Sequence, residues 1–260
     1  MRRLLTFAAG AAVSLVLLAT PVGAVTYGEP DNGEHPYVGL VVFYNGAGKP
    51  LHRCSGTLLS STVFLTAGHC TYGTASAQVW LDEHVTPAGG YPFSGGVTGT
   101  PVTHPLYDGF ASFPATHDVG VVVLGEPAGA GAYGTLPALG FLDGVGKRQS
   151  DQLLTVVGYG LQGVKPDYSA LRDRYKGTVM LVNLKSALTD GFNLQMSGDG
   201  GKAHSGGACF GDSGGPVFYG TSTVIVGVNS FVLNANCKGS GFAYRTDIGD
   251  SQSFISSFLD

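Results

Sequence analysis

The sequence predicts an all-β protein closed by one short C-terminal helix. Three observations carry that expectation. Valine-rich apolar runs of five to eight residues recur between glycine and proline punctuation, which is the length and flanking pattern of strands. Glycine supplies 42 of the 260 residues, about twice its usual share of roughly 7%. Helical periodicity is convincing only at the chain's end.

Taken in order, the expected strands are 37–44, 63–67, 119–124, 153–157, 179–184 and 224–228. Glycine-rich tracts at 88–100 and 125–134, and the 143–150 stretch with Lys147 and Arg148, read as loops. In 250–259, Phe254/Ile255 and Phe258/Leu259 recur four apart on one helical face, behind an Asp250 suited to capping. A boundary near 130–137 divides the chain into units of 25–135 and 136–260, with no sequence repeat between them.

Composition excludes several classes. Only 12% of residues are charged and 43% are hydrophobic, too apolar for a charge-rich disordered chain. No Gly-X-Y period supports collagen and no heptads support a coiled coil. Fourteen Lys+Arg against 18 Asp+Glu leave no basic footprint for nucleic acid.

Residues 1–24 read as a signal peptide. Arg2 and Arg3 precede an apolar run from Leu4 to Ala19, and Val22-Gly23-Ala24 offers small residues for cleavage. The run has 16 residues, short of the roughly 20 that span a bilayer. Cleavage after Ala24 is expected to yield a secreted protein with no membrane segment. Losing both arginines leaves 12 basic residues against 18 acidic ones, a formal charge of −6. In an exported chain, Cys54, Cys70, Cys209 and Cys237 are expected to form two disulfides, with three pairings open. No Cys-x-x-Cys or His-x-x-Cys spacing supports zinc.

Three constellations carry chemistry. Leu65-Thr-Ala-Gly-His69-Cys70 places a histidine at a strand end beside a cysteine. Thr116-His-Asp118-Val119 opens a β-branched strand with a carboxylate that, if buried on a histidine, fixes its tautomer. Gly211-Asp-Ser213-Gly-Gly215-Pro216 flanks a serine with glycines that permit positive φ and close backbone approach, as an oxyanion hole requires. Gly211-Asp-Ser213-Gly-Gly215 also satisfies Gly-x-Ser-x-Gly, the α/β-hydrolase elbow. That fold needs a histidine after the serine, and all seven histidines precede Ser213.

The chain order His69, Asp118, Ser213 in an all-β context matches the chymotrypsin arrangement. Together the three motifs resemble the signatures of secreted trypsin/chymotrypsin-like serine proteases. Cys54-Ser-Gly-Thr, His104-Pro-Leu-Tyr-Asp, Val-Val-Gly158-Tyr-Gly and Gly227-Val-Asn-Ser230 extend the resemblance across 25–260. It implies two six-stranded antiparallel β-barrels with the active site between them, and disulfides Cys54–Cys70 and Cys209–Cys237. It implies Ser213 as nucleophile, His69 as general base and Asp118 as its orienting group, with Gly211 and Ser213 N–H groups as the oxyanion hole. Ser230 resembles the family's serine that supports the buried aspartate and begins the strand on which substrate pairs.

For specificity, the resemblance puts Gly207 at the pocket floor, where trypsin-like enzymes carry aspartate. It puts Ser230, Val232 and Gly241 on the walls, which suggests cleavage after small or medium apolar residues. Val25-Thr-Tyr-Gly28 directly follows the expected cleavage point, so the new Val25 ammonium is expected to pair with Asp212. No cofactor or metal is expected, and Asp82-Glu83-His84 reads as a solvated turn rather than a calcium loop. Expected partners of this monomer are protein or peptide substrates and protein protease inhibitors. The competing readings are an inactive homologue that binds rather than cleaves, and an esterase using the same triad.

Overall fold

A computed structural model describes residues 25–26, 28–129, 131–145, 152–161, 171–198 and 206–259. Residues 1–24, read from the sequence as a signal peptide, and most of 143–150, read as a loop, lie outside the described residues. Among those described, thirteen strands follow in order: β1 (Glu29–Pro30), β2 (Val38–Tyr44), β3 (Pro50–Leu58), β4 (Val63–Thr66), β5 (Ser76–Trp80), β6 (Val97–Thr103), β7 (Gly120–Leu124), β8 (Leu153–Gly158), β9 (Tyr175–Asn183), β10 (Asn193–Ser197), β11 (Pro216–Tyr219), β12 (Ile225–Val232) and β13 (Ser240–Arg245). A single helical turn, α1 (Gly68–Thr71), follows β4, and α2 (Gly249–Ser256) ends the fold.

The strands close two antiparallel barrels. The first runs β2-β3-β4-β7-β6-β5 and closes through β2–β5 pairing. In the second, β9-β10-β13-β12-β11-β8 closes through β8–β9, and β1 adds to β9 beside β10. Residues 29–30 therefore pair with the second barrel, although they precede the first in sequence. All seven positions of β2 and all four of β4 are buried, which is why these strands read as continuous apolar runs. Each fully buried aliphatic side chain there contributes about 1.5–3 kcal/mol.

Two expectations need correction. The tract 88–100 is not all loop, because Val97–Thr103 is strand β6, pairing with both β5 and β7. Gly99 serves close packing there: a Cβ would meet Val122 Cγ1 at 2.5 Å. Asp250 is not the cap of α2, since Ile248 is the N-cap residue and Asp250 lies in the first turn. Its carboxylate is engaged by His117 instead.

Backbone bonds stitch the barrels at the seam. Ser55 N–H donates to the Ser213 carbonyl at 2.8 Å, and Gly134 N–H to the Leu58 carbonyl at 2.9 Å. Buried Arg174 donates to the carbonyls of Val38 and Leu81 and, through Nε, to Asp31 at 2.9 Å. These ties fix the crevice that the candidate residues share.

Candidate active site

Register brings the first two candidates together. Thr66 pairs with Gly120, so His69, just past β4, and Asp118, just before β7, emerge at the same barrel end. Cys54–Cys70, with Cα atoms 6.4 Å apart, anchors the turn that carries His69. The fully buried Asp118 carboxylate accepts from His69 N–H at 2.7 Å and from the ring Nδ1 at 2.9 Å. Ser230 Oγ donates to its Oδ2 at 2.5 Å. This network assigns the imidazole proton to Nδ1 and leaves Nε2 as the acceptor.

Burial alone would depress the His69 pKa, but the Asp118 charge and hydrogen bond outweigh it and the net shift is upward. For Asp118, burial pushes up. The His69 charge, with hydrogen bonds from His69 and Ser230, holds it below the usual carboxylate range.

Ser213 sits on a loop whose shape depends on glycine. Gly211 and Gly214 have φ of +98° and +78°, backbone that suits glycine. A Cβ on Gly214 would come within 2.1 Å of Thr66 Oγ1 and 2.6 Å of the Ser55 carbonyl. The first barrel thus presses directly against the loop. Ser55 Oγ donates to the Gly211 carbonyl at 2.8 Å, and Gly214 N–H donates to the Asn229 carbonyl at 2.8 Å. Among the described residues, Ser213 and His69 share one cavity but form no hydrogen bond with each other. Such contacts are commonly long in unliganded sites and tighten when substrate binds.

That cavity has a volume of about 310 Å³. His69, Phe110 and Ser213 line it together with Ala208, Ser230, Phe231, Val232 and Phe242. Two expected pocket residues are not on its surface. Gly207 faces the Gly198 backbone and gives its carbonyl to Thr26 N–H at 3.0 Å. Gly241 pairs with Val232 but faces Met196, and the next residue, Phe242, forms the wall. Phe242 stacks on Phe231 at 4.6 Å, with their planes 4° apart. Sequence reasoning missed Phe110, Ala208, Phe231 and Phe242. Simple strand alternation would put Phe231 opposite Ser230 and Val232; a register irregularity between Asn229 and Phe231 accompanies its place on the cavity, and no local sequence signal marks it. Cys209–Cys237 ties the serine loop to the far wall, with Cα atoms 5.3 Å apart.

Asp212, also fully buried, accepts among the described residues only from the N–H groups of Gly160 and Cys209, each at 2.9 Å. Burial pushes its pKa up to about 7, against the pull of those bonds and of Arg53. Val25 is completely buried, and its Cγ1 lies beside Gly206. The Val25 nitrogen in this chain is a peptide nitrogen. Among the described residues it makes no hydrogen bond or ion pair with Asp212. His84 pairs with Asp173 at 3.1 Å.

Comparison with known proteins agrees with this architecture. The sequence model of the Trypsin family matches residues 25–254. Chymotrypsin-like elastase family member 1 of Canis lupus familiaris is 27% identical over 209 residues, which are 76% of this chain and 77% of that protein. Brachyurin of Leptuca pugilator is 30% identical over 198 residues, 72% and 79% of the two chains. The solved structure of HL collagenase aligns with a TM-score of 0.70 at 19% identity, covering 90% of this chain and 98% of the other. A structure of HBP aligns at 0.64 and 19%, covering 90% and 96%.

Proposed function

The chain belongs to the trypsin family of serine endopeptidases, which are hydrolases, and from that premise we propose that Ser213, His69 and Asp118 cleave peptide bonds in a secreted enzyme. The observation that carries the triad is the His69–Asp118 pair, with Nδ1 held at 2.9 Å and Nε2 left free. Ser213 Oγ attacks the scissile carbonyl carbon while His69 Nε2 takes its proton. The tetrahedral intermediate then collapses as His69 protonates the leaving amine, and water attacks the acyl-enzyme by the same route. The N–H groups of Gly211 and Ser213 stabilise the oxyanion, each such donor being worth about 3–4 kcal/mol of barrier.

Among the described residues, no lysine, arginine, aspartate or glutamate lines the cavity. Ala208, Val232 and Phe242 give it apolar walls, which supports cleavage after small or medium apolar residues. A panel of peptide amides differing only at the residue before the cleaved bond tests this, with Ser213→Ala as the control. Turnover of the apolar members, lost in Ser213→Ala, is expected. Strong preference for Arg or Lys overturns the specificity. Cleavage of esters but not amides, or stoichiometric binding without turnover, overturns the endopeptidase reading in favour of the esterase or the inactive binder.

Export is part of the same reading. Signal cleavage after Ala24 would release a Val25 ammonium beside the 206–212 segment, where buried Asp212 has no ion pair among the described residues. Pairing them needs no second processing step. The amine, ordinarily near pKa 8, would be raised by the pairing, so the active conformation holds below that raised value and fades as pH climbs through it. Mass analysis of secreted active enzyme checks this, since a start other than Val25 rejects it. Protein protease inhibitors remain the expected further partners of a monomeric enzyme.

A further inference from the structure

Asp118 sits in an unusual stretch of backbone. His117, immediately before it, has φ of +48°, a left-handed conformation that non-glycine residues keep when their surroundings over-determine it. What holds His117 comes from the far end of the chain. Its Nδ1 meets Asp250 Oδ2 at 2.6 Å, across 133 positions of sequence. Tyr244 OH donates to the same oxygen at 3.3 Å.

The other Asp250 oxygen meets Nε2 of buried His104 at 3.3 Å. His104 in turn donates its backbone N–H to the carbonyl of Val119, the residue after Asp118, at 3.1 Å. Both chain neighbours of Asp118 are therefore tied to one carboxylate in the first turn of α2. Phe254, on the same helix, packs against the His104 ring at 4.9 Å.

Two imidazoles and a carboxylate with ligand atoms within 4.8 Å invite a metal reading. The geometry opposes it. His104 Nδ1 accepts the Leu106 N–H at 3.2 Å, which leaves the ring proton on Nε2, donated toward Asp250. A metal at that nitrogen would have to displace it. The two rings also stack at 5.2 Å with planes only 9° apart, so their in-plane lone pairs do not converge on one ion.

We propose that Asp250 is a positioning residue: through His117 and His104 it fixes the backbone at Asp118, and so the geometry of the Asp118–His69 pair. The proposal rests on the triad reading above. Asp250→Ala removes both ties, while Asp250→Asn keeps an oxygen for His117 and should recover most of the loss. With turnover expressed per titrated active site, Asp250→Ala is expected to lower kcat roughly ten- to hundredfold. KM should change by less than about twofold, as for an interaction lost only in the transition state. The acid limb of the pH–kcat profile should move to lower pH, because a displaced Asp118 supports the His69 imidazolium less.

A purely structural role would lower the melting temperature and the active fraction. It would leave kcat per active site and the acid limb where they were, and that result overturns the proposal. Should Asp250→Ala fail to fold, His117→Gly serves, because glycine accepts the left-handed backbone but carries no tether. A kcat loss in the same direction, smaller because the His104 tie remains, is expected there, and wild-type kcat overturns the proposal. Peptide turnover that survives Ser213→Ala would instead overturn the triad reading beneath it.

Discussion

Asp118 and Asp212 are both fully buried, both lie within hydrogen-bond reach of backbone N–H groups, and their carboxyl groups respond in opposite ways. Asp118 lies among His69 and Ser230, and its pKa is held low. Asp212 has two N–H donors and, among the described residues, no ion-pair partner; Arg53 acts on it only through its charge, and burial drives it up to about 7. Depth of burial does not separate them; the supply of partners does. The β4–β7 register of the first barrel delivers His69 to Asp118, and β12 delivers Ser230 across the seam, before any processing. Nothing described in the uncleaved chain delivers the equivalent to Asp212.

The largest effect comes from breaking the finished site. Asp118→Asn keeps the shape but turns an N–H₂ toward His69 Nδ1, which forces the proton to Nε2 and removes the acceptor that Ser213 needs. We expect kcat to fall roughly 10⁴-fold, with the fold intact by circular dichroism. A loss of less than about tenfold would mean that Asp118 does not set the His69 tautomer.

The unfinished site should show itself in stability before activity. Below the ordinary carboxylate pKa, Asp212 is neutral in folded and unfolded chains alike, and its burial carries no charge penalty. As pH rises, the unfolded chain ionises first while the folded one keeps its proton. Stability of the chain not cleaved at Val25 should therefore fall between about pH 4 and pH 7, then level off. The raised value corresponds to about 4 kcal/mol. Asp118 contributes with the opposite sign, adding stability above the ordinary carboxylate pKa that is lost as pH falls through its depressed value. Urea titrations of the Ser213→Ala precursor across this range measure the slope, and Asp212→Asn should flatten it. Protein beginning at Val25 should lack the fall, and an identical slope in both forms would break the proposed ammonium pairing.

The same contrast explains what was legible in the sequence. His69, Asp118 and Ser213 stand in motifs of four to six contiguous residues, each written in local backbone chemistry. Strands β2, β4 and β7 were visible because both of their faces are covered by protein. Strand β6 was not, because Gly99 and Pro101 look like loop punctuation until β7 is packed against them. The pocket wall at Phe242 depends on its register opposite Phe231, which no single segment contains. Asp250 read as a helix cap because its partner, His117, lies in another unit of the chain. Local chemistry was legible, and long-range pairing was not.

Ser230→Ala sharpens the comparison by the smallest step, removing one of Asp118's partners without touching His69. A hydrogen bond to a charged group is worth about 1.5–3 kcal/mol, so kcat/KM should fall roughly ten- to hundredfold. The pH profile carries the discriminating sign. Without the Ser230 hydroxyl, Asp118 is a stronger base and holds the His69 imidazolium more tightly, so the acid limb should move to higher pH. Asp118→Asn and Asp250→Ala move it the other way, because they weaken the same hold. If Ser230→Ala shifts the limb downward, the 2.5 Å contact between Ser230 and Asp118 acts by placing the carboxylate rather than by tuning its charge. Asp118 would then differ from Asp212 in geometry before it differs in electrostatics.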